Sequence, residues 1–176
     1  MVAADPEAIR RLVRDVSDFP RAGVGFKDLT PVLGDPVAYG AVVDWMAEAV
    51  ADSTPTKVAG VEARGFLFAA PLALRLGAGL IPLRKAGKLP WEVESESYSL
   101  EYGDERLEIH RDSVTEGETV VLVDDVLATG GTARAGAVLL ERLGAKVASM
   151  LFALELTPLR GRDRLGGWDV QTLVSY

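Results

Sequence analysis

Thr119-Val-Val-Leu-Val-Asp-Asp-Val-Leu-Ala-Thr-Gly-Gly-Thr-Ala133 passes from an apolar run to a pair of acids to a glycine turn. Thr119 to Val123 suit a short strand buried on both faces of a parallel sheet. Asp124 and Asp125 follow at its C-terminal end, and Leu127 to Thr132 form a loop of small residues. Ala133 to Leu143 then carry helical apolar spacing, closed by Gly144. In an open α/β sheet ligands sit beyond the strand C-termini, and the N–H groups that open a helix attract an anion. Gly130 and Gly131 let a phosphate approach the backbone closely, while Thr129 and Thr132 add hydroxyl donors. The two acids would repel that phosphate, so they need sugar hydroxyls or a divalent cation as partners. Phosphate and ribose together imply a ribose 5-phosphate group.

A hydrophobic strand ending in Asp-Asp also fits an NTPase, but the chain has no G-x-x-x-x-G-K-[ST] segment to hold a triphosphate. A G-x-G-x-x-G dinucleotide fingerprint is absent too. Upstream the same architecture recurs. Lys57 to Val61 reads as a strand, Glu62-Ala-Arg-Gly65 as a tight turn, and Phe66 to Leu76 as a helix, which offers the Arg64 guanidinium to an anion. Leu80 to Leu83 make a further strand, followed by Arg84-Lys-Ala-Gly-Lys-Leu-Pro90. Arg84, Lys85 and Lys88 beside a glycine suit a mobile anion-binding loop. Residues 91–110 alternate in polarity and predict a hairpin that turns at Gly103-Asp104 with Leu107 and Ile109 on one face.

At the N-terminus Asp5 and Pro6 open a helix whose apolar face, Ile9, Leu12, Val13 and Val16, runs to residue 16. Pro20, Gly23, Gly25 and Pro31 make Phe19 to Leu33 a shaped loop with its backbone groups free to read a base. Asp35 and Pro36 start a helix to about Asp52, with Val42, Trp45 and Met46 turned inward. Downstream, Lys146 to Leu154 is a strand, and Glu155 to Leu165 is an arginine-rich turn that suits a solvated face or a subunit contact. Asp169 to Val174 is the last strand. His110, the single histidine, has no partner cluster and reads as structural.

The chain has 176 residues, of which 48% are apolar, and this fits one domain with a substantial core. A net charge of −7 argues against a general nucleic-acid or anionic-membrane binder. Cysteine is absent, which excludes disulfide and thiolate chemistry. No apolar run is long enough to span a bilayer, and Met1-Val-Ala-Ala-Asp-Pro-Glu7 does not read as a signal peptide, so a cytoplasmic location is expected.

Val121-Leu-Val-Asp-Asp-Val-Leu-Ala-Thr-Gly-Gly-Thr132 resembles the phosphoribosyl pyrophosphate (PRPP) motif of the type I phosphoribosyltransferases. The likeness narrows to family members that act on adenine. It rests on Phe26-Lys-Asp-Leu-Thr-Pro-Val-Leu33, Ala63-Arg-Gly-Phe-Leu-Phe68, Arg84-Lys-Ala-Gly-Lys-Leu-Pro90, Ser97-Tyr-Ser-Leu-Glu-Tyr-Gly103 and Glu155-Leu-Thr-Pro-Leu-Arg-Gly161, in that order. The resemblance implies an α/β fold of the type I kind, a mainly parallel sheet flanked by helices. It also implies a single domain over residues 1–176, a small hood from residues 1–34, a flexible catalytic loop at about 84–104, and a homodimer.

It further implies transfer of phosphoribose from PRPP to adenine, giving AMP and pyrophosphate, with Mg²⁺ held mainly by PRPP and water. Asp124 and Asp125 would hold the ribose, and Ala128, Thr129, Gly130, Gly131 and Thr132 the 5-phosphate. Ala63, Arg64, Arg84, Lys85 and Lys88 would serve the pyrophosphate, through a turn that often carries a non-proline cis peptide within residues 62–64. The backbone of Gly25 and Lys27 would read adenine between Phe26 and Leu127, and Glu101 would act as general acid or base on a closing lid. A 6-oxopurine transferase and a non-catalytic PRPP-sensing regulator of the same fold are the alternatives.

Overall fold

The computed structural model describes residues 4–100 and 103–176. Helix α1 (Pro6–Leu12) begins where Asp5 accepts a hydrogen bond from the Glu7 N–H at 3.0 Å and Pro6 takes the first helical position. It ends short of the predicted residue 16. Val13 is extended, and Arg14–Val16 becomes strand β1, paired antiparallel with β2 (Phe26–Asp28). Val16 satisfies either periodicity, and the pairing of Val16 with Phe26 decides for the strand. The segment read as an irregular loop therefore contains β2 and the short helix α2 (Thr30–Gly34), with Pro31 in its first turn. Asp35 caps α3 (Pro36–Ala49) by accepting from the Val37 and Ala38 N–H groups, both at 2.9 Å.

The remaining elements are β3 (Lys57–Val61), α4 (Gly65–Leu76), β4 (Gly79–Lys85), β5 (Val93–Leu100), β6 (Gly103–His110), β7 (Thr119–Leu127), α5 (Gly131–Arg142), β8 (Lys146–Glu155) and β9 (Val170–Ser175). Among the described residues these strands form one seven-stranded sheet in the order β5-β6-β4-β3-β7-β8-β9. The pairs from β4 through β9 are parallel, and the β5–β6 hairpin adds antiparallel at the β4 edge. Two departures from expectation matter. Gly103 and Asp104, expected at the hairpin turn, belong to β6, and β7 runs on to Leu127, so the acid pair lies inside the strand.

From β3 the chain crosses through α4 to β4 on one side, and from β7 it crosses through α5 to β8 on the other. The carboxyl ends of β3 and β7 thus flank a topological switch point, the place where such sheets open a crevice. α5 covers one face of the sheet with Leu139 and Leu140 against Leu107, Leu122 and Phe152. α3 and α4 cover the other, with Met46, Phe68 and Leu72 packed among Val121, Val123 and Leu151. All eleven of these side chains are at most 1% exposed, so the strands that carry the site are clamped from both sides. Among the described residues no helix is long and apolar enough to cross a membrane.

Candidate active site

The turn after β3 carries a cis peptide between Glu62 and Ala63, at the position the resemblance implied. α4 then starts at Gly65, and a Cβ there would lie 2.9 Å from both Asp124 Oδ1 and the Val123 carbonyl oxygen. Only glycine lets the first turn of α4 seat this closely on the acid strand. The seating brings Arg64 Nε to 2.5 Å from Asp125 Oδ2 and sets the guanidinium 5.1 Å from the centre of the Phe26 ring. Arg64 therefore links the acid strand to the N-terminal two-stranded sheet.

A cleft of about 470 Å³ opens beside it, lined by Glu62, Ala63, Arg64, Lys85, Lys88, Tyr98, Glu105, Asp124, Asp125 and Thr132. The cations expected at a pyrophosphate are engaged by carboxylates. Glu62 accepts from Arg84 Nε at 3.2 Å, from the Lys85 N–H at 3.0 Å and from Lys88. Lys85 Nζ donates to Glu105 at 2.9 Å, which lowers the Glu105 pKa below the usual carboxylate range. Glu105 also accepts from the Tyr98 hydroxyl at 2.8 Å. Burial pushes the Tyr98 phenol up to about 12, so it stays a donor.

Asp125 is 4% exposed and Asp124 keeps some surface on the cleft. Enough protein surrounds the Asp124 carboxyl that burial, followed by the charge of Asp125, raises its pKa well above the usual range. Its main compensation is the Asp125 N–H, which donates to Asp124 Oδ1 at 2.8 Å. Among the described residues no group of three or more His, Cys, Asp or Glu side chains is arranged to hold a metal ion. Asp124 and Asp125 supply hard oxygen donors of the kind that Mg²⁺ accepts.

Beyond the acids, residues 126–133 and Phe152 line a smaller cleft of about 130 Å³, and Asp124 and Thr132 border both spaces. Gly130 takes φ +78° as the residue before α5. A Cβ on Gly130 would meet the Gly161 carbonyl oxygen at 2.4 Å, and a Cβ on Gly161 would meet the Ala128 carbonyl oxygen at 2.3 Å. Gly161 is thus the surface against which the glycine loop is shaped. Arg162 anchors it, with Nε 2.9 Å from both Glu155 oxygens and Nη1 2.8 Å from the Val170 carbonyl. From residue types alone, residues 155–165 predict a solvated or subunit-contact turn. The available signal was a buried-strand acid, Glu155, seven residues before an arginine. Leu127, expected on the base, is 1% exposed and packs toward Gly161 while lining the small cleft with Val126.

A third space, about 230 Å³, lies between Val16, Phe19, Phe26 and Asp28. Phe26 is half-buried and meets Phe19 edge-on at 5.1 Å, so it is a pocket wall and not a core anchor. Gly25 is exposed. The Lys27 ammonium is spent on Asp15 and lies 4.0 Å from the centre of the Tyr176 ring. What Lys27 has left to offer a ligand is its backbone, and β2 pairs only with β1 among the described residues. Glu101 lies outside the described residues. His110 lines none of these spaces, in keeping with a structural role.

Ribose phosphate is the group that an acid pair beside a helix-opening glycine loop suits, and at a β3/β7 switch point this sorts the chain with the α/β transferases of that group. Residues 34–169 match the phosphoribosyl transferase domain family, to which the chain belongs. Within that family it belongs to the adenine phosphoribosyltransferases. It is 53% identical over 176 residues to the adenine phosphoribosyltransferase of Anaeromyxobacter sp. (strain Fw109-5), covering 100% of this chain and 99% of that one. The crystal structure of the Thermoanaerobacter pseudethanolicus enzyme superposes with a TM-score of 0.95 at 50% identity, over 98% of this chain and 100% of that one. The Saccharomyces cerevisiae enzyme, crystallised with an imino-altritol bisphosphate and adenine, gives 0.90 at 37% identity, over 96% and 97%.

Proposed function

We propose that this chain transfers phosphoribose from PRPP to adenine, releasing AMP and pyrophosphate, with the following division of roles. The observation that carries the reading is the shared border of the two clefts, where Asp124 and Thr132 join the cation-lined space to the glycine loop. A ribose 5-phosphate laid across that border has its phosphate on residues 128–132, its hydroxyls on Asp124 and Asp125, and its anomeric carbon toward Ala63, Arg64, Lys85 and Lys88. Arg84 supports the same diphosphate from the end of β4. Adenine stacks on Phe26, its edge read by the backbone at Gly25 and Lys27, and Leu127 closes the cleft below.

Attack by the base nitrogen breaks the bond from the anomeric carbon to the pyrophosphate oxygen, with inversion. Positive charge develops on the sugar and negative charge on the leaving group, so fixed cations and exclusion of water lower the barrier. Mg²⁺, when bound with PRPP, neutralises part of the diphosphate charge, and Asp124 and Asp125 are the acids placed to share its field. Glu101 is assigned as the general acid or base at the imidazole part of the purine, on a lid spanning residues 84–104. Residues 1–34 serve as the hood over the base. Leu67 and Leu74 are exposed on α4, which supports a homodimer; a cytoplasmic setting is supported by the membership in a family of small-molecule transferases.

The purified protein incubated with PRPP, Mg²⁺ and each purine in turn is expected to form AMP and pyrophosphate in equal amounts with adenine. Turnover with a 6-oxopurine alone would overturn the base pocket, and binding without product would identify a PRPP sensor instead. Glu101→Gln is expected to lower kcat about a hundredfold, the lower end for loss of a general acid or base, with little change in PRPP affinity. Unchanged turnover would remove that role.

A further inference from the structure

Every cation expected at the pyrophosphate already has a carboxylate partner: Arg64 has Asp125, Lys85 has Glu105, and Arg84 and Lys88 share Glu62. Asp125 is explained by the ribose. Glu62 has no part in the roles assigned above, yet it is the most densely coordinated acid of the cleft.

Its side chain is 8% exposed at the end of β3. One oxygen accepts from Arg84 Nε and from the Lys85 N–H, and the other from Lys88. Arg84 Nη1 donates in turn to the Lys88 carbonyl oxygen at 3.0 Å, so the two cations are tied to each other as well as to this carboxylate, while the Gly87 N–H between them donates to Glu108 at 2.9 Å. Burial alone would raise the Glu62 pKa, but Lys88, the Lys85 N–H and Arg84 together hold it below the usual range, so it is an anion at neutral pH. Two converging cations and a backbone N–H around a buried anion reproduce the donor set that a phosphate group requires.

We propose that Glu62 is a positioning and specificity residue, an internal anion that holds Arg84 and Lys88 in place in the resting enzyme and must be displaced from them by the diphosphate of the substrate. Diphosphate, with several charges on two groups, can engage both cations at once and win the exchange. A weaker anion cannot, so the cleft is kept from filling with orthophosphate. The same competition limits how tightly the product pyrophosphate is retained, because Glu62 re-forms its bonds as pyrophosphate leaves. This inference rests on the reading of the cation-lined cleft as the pyrophosphate site.

The test is calorimetric titration of inorganic pyrophosphate with Mg²⁺ into the full-length wild type, Glu62→Gln and Glu62→Asp. Glutamine keeps the shape and removes the competing charge. Aspartate keeps the charge but is one methylene too short to hold both cations. Glu62→Gln is expected to bind about tenfold tighter than wild type, the scale of one partly exposed ion pair, with Glu62→Asp in between. The KM for PRPP should fall in the same order. A residue that served only to hold the turn together would give weaker binding in both variants. Equal or weaker binding therefore overturns the role of Glu62, and if Glu62→Gln fails to fold, Glu62→Asp alone decides. Failure of the wild type to bind pyrophosphate is a separate result, which overturns the pyrophosphate-site reading and the proposal with it.

Discussion

The double variant Asp124→Asn/Asp125→Asn is expected to lose PRPP affinity by roughly 10² to 10⁴-fold, on two charge-assisted hydrogen bonds of about 1.5–3 kcal/mol each. Asp124→Asn alone, which keeps the Arg64–Asp125 ion pair, should nevertheless cost the unliganded protein no stability near neutral pH. Ionising Asp124 is costly, because burial and then the neighbouring Asp125 charge raise its pKa well above the ordinary 3.8. An acid whose folded pKa is raised binds its proton more tightly in the native state. Its contribution to stability is therefore greatest at low pH and is lost as pH climbs from the unfolded pKa through the raised folded one. Asparagine removes that loss. Urea unfolding from acid to neutral pH should show wild type losing stability relative to Asp124→Asn over this interval, and PRPP titration of the double variant should show the opposite ranking for function. Full retention of PRPP affinity in the double variant would contradict the ribose assignment, and an Asp124→Asn protein much less stable at neutral pH would contradict the electrostatic one.

Gly161→Ala is expected to be comparably damaging from outside the acid strand. The new methyl would stand 2.3 Å from the Ala128 carbonyl oxygen and 2.9 Å from Leu127 Cδ1. The first neighbour is backbone and the second is the end of a side chain that is 1% exposed and has little room to swing away, so the loop itself has to move. Overpacking of this kind costs about 1–3 kcal/mol of stability. A displacement on the order of 1 Å at a positioning loop can cost about a hundredfold in rate. Thermal unfolding and steady-state kinetics with PRPP measure the two effects separately. Gly166→Ala is the control, since a Cβ there meets nothing within 4 Å and should leave both unchanged. Wild-type kinetics in Gly161→Ala would show that the loop tolerates the shift.

Gly161 also marks where reading the chain as text stopped. The acid strand, the glycine loop and the two cation-bearing segments were legible because each is a local pattern, an apolar run closed by chemistry at its end. Segments whose conformation depends on a distant partner were not. Val13 and Val16 continue the apolar spacing of α1, and only the pairing of Arg14–Val16 with Phe26–Asp28 turns them into strand. The arginine-rich turn reads as solvated because the one local signal, an acid at Glu155 seven residues before Arg162, does not say that the chain turns back to bring the two together.

By itself the sequence determined the alternation of strands and helices, the presence of an anion loop beside two acids, and the cations available to a diphosphate, since these follow from residue type and short-range spacing. Tertiary structure alone decided which charges meet. Arg64 finds Asp125 because Gly65 lets α4 sit on β7, and Arg84 and Lys88 find Glu62 because β3 and β4 are parallel neighbours in which Val61 pairs with Leu83, the residue before Arg84. Electrostatic energy depends on distance in space, and side chains separated by more than twenty residues along the chain acquire one only when the sheet has formed.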